Sequence, residues 1–91
     1  MLVIISYDIE DDKTRTRLAH QLKDFGPRVQ FSVFEADISE SELRNLNKML
    51  GAVALAKDDS IRLYRICESC AAKIKIWGSG KVTQDQEYYI H

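Results

Sequence analysis

Leu2-Val3-Ile4-Ile5-Ser6-Tyr7-Asp8-Ile9 is an apolar run rich in β-branched residues, with a carboxylate at its end. Such a run predicts a strand buried on both faces. Glu10, Asp11 and Asp12 follow at once, and Asp11 or Asp12 can cap a helix. Leu18, Leu22 and Phe25 then recur at i, i+4 and i+7, which is one helical face. Gly26-Pro27 ends that helix, because glycine suits the left-handed C′ position and proline cannot continue.

Arg28 to Ile38 reads as extended, but its alternation breaks. Val29, Phe31 and Val33 share one parity, whereas Phe34, Ala36 and Ile38 share the other. One straight strand would put half of these on the wrong face. A tight turn or a bulge near 31–33 removes the conflict, giving two strands or one sharply kinked strand. Ser39-Glu40-Ser41-Glu42 fits the capping box S-x-x-E at a helix start. Leu43, Leu46, Leu50 and Val53 form the buried face of that second helix, and Gly51 weakens its end by about 1 kcal/mol relative to alanine.

Lys57-Asp58-Asp59-Ser60 is a polar turn before the strand 61–66, with Ile61 and Leu63 on one face and Tyr64 and Ile66 on the other. Lys73-Ile74-Lys75-Ile76-Trp77 alternates over a short length and predicts an edge strand guarded by lysines. Gly78-Ser79-Gly80 is a flexible joint, and the polar tail ends in Tyr88-Tyr89-Ile90. Those large residues need a dock, such as a sheet edge in this chain or in a partner.

The order β-α-β-β-α-β is the ferredoxin-like split βαβ pattern of an α+β fold, here with an extra short C-terminal strand. Residues 1–77 form the domain, and 78–91 the joint and tail. Both helices cover one face of the sheet. The other face carries residues of the Tyr7, Phe34 or Tyr64 type, depending on parity. An apolar open face in so small a chain argues for a dimer.

At 91 residues the chain is one domain, burying about 60–65% of its unfolded surface. The longest apolar run is too short to cross a bilayer, and no basic segment precedes it, so a cytoplasmic protein with no membrane partner is expected. A net charge of −1 does not announce nucleic acid. A local basic face remains open to Arg15, Arg17, Lys23, Arg28, Arg44 and Lys48. Cys67 and Cys70 form a single C-x-x-C, half a zinc site, with only His20 and His91 to complete it. A thioredoxin-type motif follows a strand and opens a helix, and Ile66 to Ala72 comes close to that. Small packed thiols at a turn are the favoured reading. No catalytic triad is visible, and the scattered glycines form no phosphate loop.

That leaves Asp8. Carboxylates at the ends of central strands are where α/β sheets keep their chemistry. Burying one alone costs several kcal/mol, so Asp8 must sit at an edge, pair with a cation or bind a metal. The plain alternative is an ion pair with Arg15 or Arg17, or a cap on the first helix. Arg15 and Arg17 also read as a solvated helix start, and Tyr7 and Phe34 as core. One carboxylate is a poor metal site, but a two-fold axis brings any near-axis residue against its own copy. Two carboxylates about 5 Å apart repel by about 3 kcal/mol at an effective dielectric near 20. Mg²⁺ turns that repulsion into coordination while keeping several waters. It would acidify a water and polarise a phosphodiester, while arginines held the neighbouring phosphates.

Tyr7-Asp8-Ile9, the helix opening Arg15-x-Arg17, Gly26-Pro27-Arg28-Val29-Gln30-Phe31-Ser32-Val33-Phe34-Glu35 and Asp59-Ser60-Ile61-Arg62-Leu63-Tyr64 together resemble one family. It is the second protein of the CRISPR spacer-acquisition pair, the Cas-two family. Order and spacing agree from residue 1 to about residue 67. The resemblance implies a ferredoxin-like homodimer with a metal between two copies of the strand-one aspartate. It implies metal-dependent endonuclease activity on RNA or double-stranded DNA. It also implies a structural role, bridging two dimers of the CRISPR integrase and holding the DNA to be inserted. Carried over by position, Asp8 is the Mg²⁺ ligand and, with Tyr7, the candidate catalytic pair. Arg15, Arg17, Arg28 and Phe34 are candidate nucleic-acid contacts. By the same resemblance, the tail adds a strand to the partner subunit.

Overall fold

The structure is a computed structural model and describes residues 1–83. Its elements are β1 (Leu2–Asp8), α1 (Asp12–Leu22), β2 (Arg28–Gln30), β3 (Val33–Asp37), α2 (Glu40–Gly51), β4 (Ser60–Ile66) and α3 (Glu68–Ala71). The strands form a four-stranded sheet in the order β2-β3-β1-β4, with every neighbouring pair antiparallel. This is the ferredoxin-like βαββαβ arrangement, with β1 between β3 and β4.

Strand parity divides the molecule. Val3, Ile5 and Tyr7 of β1 share a face with Phe34 and Ala36 of β3 and with Ile61 and Leu63 of β4. Leu18, Ala19 and Leu22 of α1, and Leu43 and Leu46 of α2, close over that face as one buried cluster. The opposite face carries Leu2, Ile4, Ser6 and Asp8, flanked by Val33 and Glu35 on one side and Ser60, Arg62, Tyr64 and Ile66 on the other. Ile4 and Ser6 are half-buried and Asp8 is exposed, so β1 is sealed on one face rather than on both. Among the described residues, α1 and α2 leave this second face uncovered, which is why the apolar run of β1 does not mean full burial.

Both helix starts follow the sequence chemistry. The Asp11 carboxylate accepts from the Thr14 backbone N–H at 2.9 Å and from its hydroxyl at 2.8 Å. Those hydrogen bonds hold the Asp11 pKa below its ordinary value. Ser39 and Glu42 complete the capping box of α2. Leu50 and Val53 pack against the core from the end of α2, half-buried. The parity conflict after Pro27 resolves as a turn at Phe31–Ser32 with a register shift between Arg28 and Gln30. Gly26 is needed for close approach, not for a left-handed cap. Positive φ occurs at Gly78 and Gly80, whereas a Cβ on Gly26 would overlap the Glu35 carbonyl oxygen and lie 2.8 Å from the Ala36 Cα.

The C-terminal region departs from the pattern reading. Lys73–Trp77 forms no strand; Lys73 and Ile74 donate backbone hydrogen bonds to Cys70 and Ala71 as the chain leaves α3. Alternation supplies a face, but a strand also needs an edge to pair with, and this segment meets none within the described residues. Trp77 is left 85% exposed. The chain returns to the sheet at Thr83, whose N–H and hydroxyl donate to a Glu35 carboxylate oxygen at 3.3 and 2.9 Å. Tyr88-Tyr89-Ile90 lie outside the described residues.

Candidate functional site

Asp8 stands at the C-terminal end of the central strand, opposite Ser60. Its carboxylate makes no hydrogen bond or ion pair among the described residues, so neither the arginine pair nor the helix cap holds it. Asp59 fixes the loop beside it instead. One Asp59 carboxylate oxygen accepts from the Glu10 N–H at 3.1 Å and the other from the Ala56 N–H at 2.9 Å. That ties the β1–α1 loop to the α2–β4 loop and leaves Asp8 at the lip of the open face. Arg62, opposite Ser6 on that same face, is the nearest cation by register. Its Nη1 donates to the Tyr64 hydroxyl at 3.5 Å. The four-residue polar turn 57–60 hinted at Asp59; Arg62 was legible only as one member of an alternating strand.

Tyr7 and Asp8 are neighbours in sequence but face opposite sides of the sheet. Tyr7 is buried at 6% exposure and stacks on Phe34, with ring centroids 6.4 Å apart and planes at 27°. Phe34 is 1% exposed, so it offers no face to a base. Its pairing with Ile5 places it on the helix-covered side, which fits the reading of Phe34 as core. Its role is to support Arg28, whose guanidinium carbon lies 5.3 Å from the ring centroid.

The arginines also separate. Arg15 Nη1 donates to the Ile9 carbonyl at 2.8 Å and the Glu10 carbonyl at 3.2 Å, and its Nη2 pairs with Asp12. It therefore fastens the loop after Asp8 without touching Asp8. Arg17 is exposed on the outer surface of α1, beside Lys13 and His20. Arg15 and Arg28 do meet across a hollow of about 370 Å³ between α1 and the β2–β3 turn, with Tyr7 and Ala19 at its base and His20, Lys23 and Phe31 around it. Lys23 was open to a local basic face from the sequence and His20 to a zinc site, whereas Phe31 was not singled out as a site residue. The signal was the stripe Thr16, Ala19, His20, Lys23 on one helical face.

Cys67 and Cys70 are free and exposed, not packed. Cys67 is the N-cap of α3. The Ser69 hydroxyl, 3.3 Å from Cys67 Sγ, and then the Cys70 thiol draw the Cys67 pKa down to about 7. Cys70 is shifted upward by the same contact. Among the described residues, no three His, Cys, Asp or Glu side chains gather to hold a metal. The magnesium that the resemblance implies would have the Asp8 carboxylate as its ligand in each chain. That fits an ion that keeps most of its water or takes a second carboxylate from another copy.

Residues 1–74 match the family model for CRISPR associated protein Cas2. The chain belongs to the Cas2 family. It is 41% identical over 90 residues to the CRISPR-associated endoribonuclease Cas2 3 of Chloroflexus aurantiacus, covering 99% of this chain and 97% of that one. The crystal structure of Streptococcus pyogenes Cas2 superposes with a TM-score of 0.71 and 29% identity, over 86% of this chain and 100% of that one. A chain of a partial Cas6-RT-Cas1–Cas2 complex superposes with a TM-score of 0.70 and 28% identity, over 82% of this chain and 88% of that one. No helix among the described residues of this Cas2 chain is long and apolar enough to cross a membrane.

Proposed function

We propose that this Cas2 chain is a metal-dependent endonuclease of CRISPR spacer acquisition that acts as a homodimer on RNA or double-stranded DNA. One observation carries the reading: an exposed carboxylate, without a hydrogen bond or ion pair among the described residues, at the end of the central strand on the face that α1 and α2 leave uncovered. A second copy packed on that face would shield Ile4, Val33 and Tyr64 and bring two Asp8 side chains together. Mg²⁺ held there would supply the charge that acidifies a water and polarises the phosphodiester. Around it, the Asp59 hydrogen bonds hold the loop still, and Arg62 places a cation on the same face for a phosphate oxygen. The naming of a relative as an endoribonuclease supports the chemistry. A structural neighbour from a complex containing Cas1 supports the integrase as partner.

A second reading rests on the separation of the two sides. Arg15 and Arg28 face the α1 side of the sheet, away from Asp8. A non-catalytic bridge would grip nucleic acid there, and on Arg17, without using the carboxylate. Cleavage of labelled RNA and duplex DNA by wild type and Asp8→Asn, with Mg²⁺ and with chelator, decides between them. Cleavage only by wild type with metal, lost at least a hundredfold in Asp8→Asn, supports the nuclease. No cleavage by either, with spacer acquisition intact in Asp8→Asn cells, supports the bridge. Equal cleavage by both proteins overturns the Asp8 site.

A further inference from the structure

Phe31 is 78% exposed, although a ring of that size is normally buried. It sits in the two-residue turn between β2 and β3, with the basic hollow beside it. Arg15, Lys23 and Arg28 line that hollow and no carboxylate does, in a chain whose net charge is −1. Lys23 and Arg28 have no acidic partner among the described residues. The base of the hollow is Tyr7 and Ala19, which are buried and apolar in character. An anion alone would use the cations and leave the ring idle. The interior of a duplex would present phosphates, but its bases there show their faces only to one another. An unpaired nucleotide uses everything present: phosphate for the cations, a free π-face for Phe31, and a size suited to about 370 Å³.

We infer that the hollow between α1 and the β2–β3 turn is a subsite for one unpaired nucleotide, with its base stacked on Phe31 and its phosphate held by Lys23 and Arg28. The inference deepens the nucleic-acid reading above and rests on it. It makes the chain sensitive to strand ends and to junctions between single and double strand, because only these offer an unstacked base beside a duplex backbone. Arg28 is positioned for this by the Phe34 ring beneath it, and Arg15 contributes field while staying tied to its carbonyls.

The test is binding, not cleavage. Oligonucleotide duplexes with blunt ends and with short single-stranded overhangs carrying 2-aminopurine are titrated at one salt concentration with full-length wild type, Phe31→Ala and Phe31→Trp. Phe31 is on the surface, so neither substitution threatens folding. Overhang duplexes should bind wild type about tenfold more tightly than blunt ones, with quenching of the 2-aminopurine. Phe31→Ala should lose that preference and the quenching, while Phe31→Trp retains both. Equal affinity for the two duplexes, unchanged in Phe31→Ala, overturns the subsite and leaves the nucleic-acid reading standing. No binding of either duplex overturns both together.

Discussion

The two faces of the sheet are built from the same strands and are put to opposite uses. On the helix-covered face, Val3, Ile5, Tyr7, Phe34 and Ala36 are sealed beneath α1 and α2, and among the described residues no charged side chain is buried with them. On the open face, Ile4, Ser6, Glu35, Arg62 and Tyr64 are only partly covered, and Asp8 at its end has no hydrogen bond or ion pair among the described residues. The covered face holds the fold together. The open face carries apolar surface and a lone carboxylate that contribute little to one chain by itself. Candidate chemistry and candidate assembly therefore lie where stability is least at stake. The contrast also separates residues adjacent in sequence: Tyr7 belongs to the core and Asp8 to the open face.

Substitutions should follow that division. Phe34→Ala empties the centre of the covered face and should cost about 3–5 kcal/mol in chemical denaturation. It also withdraws the ring beneath Arg28, so nucleic-acid affinity should fall even where the protein stays folded. Ser39→Ala removes the side-chain half of the α2 capping box and should cost about 1 kcal/mol in the same measurement. Tyr64→Glu, on the open face at 46% exposure, should change unfolding of the single chain by about 0.5 kcal/mol or less. Its effect should appear in sedimentation, as a dimer converted to monomer. A large loss of stability without a change of assembly state would show that the open face is not an interface.

The smallest effect is local. Cys67 lies outside both faces, and its pKa of about 7 makes its alkylation pH-dependent near neutrality. Below that value the thiol is protonated and slow; above it the thiolate reacts. Cys70, shifted upward, should lag behind it. Ser69→Ala removes the main hydrogen bond to the thiolate and should move the Cys67 midpoint to higher pH, read by mass spectrometry of alkylated peptides.

Local chemistry made much of this legible from the chain alone. The Ser39–Glu42 box, the Asp11 cap, the Leu18/Leu22 and Leu43/Leu46 stripes and the parity break before Phe34 are all set within a few residues. Each appears where the pattern puts it, and together they order the elements into a ferredoxin-like fold. Asp8 at the end of the first strand was equally readable, because a carboxylate closing an apolar run is a local anomaly. Three things needed the tertiary structure. Lys73–Trp77 has the alternation of a strand, but pairing depends on an edge that another segment must supply. The burial of Phe34 and the exposure of Phe31 depend on where the turn between β2 and β3 falls, because it leaves Phe31 in the turn and sets Phe34 on the helix-covered side. The grouping of Lys23 and Arg28 with Arg15 and Tyr7 around one hollow depends on how α1 lies against the sheet. Periodicity determines which residues share a face of one element; only packing decides which face meets which, and what is left open.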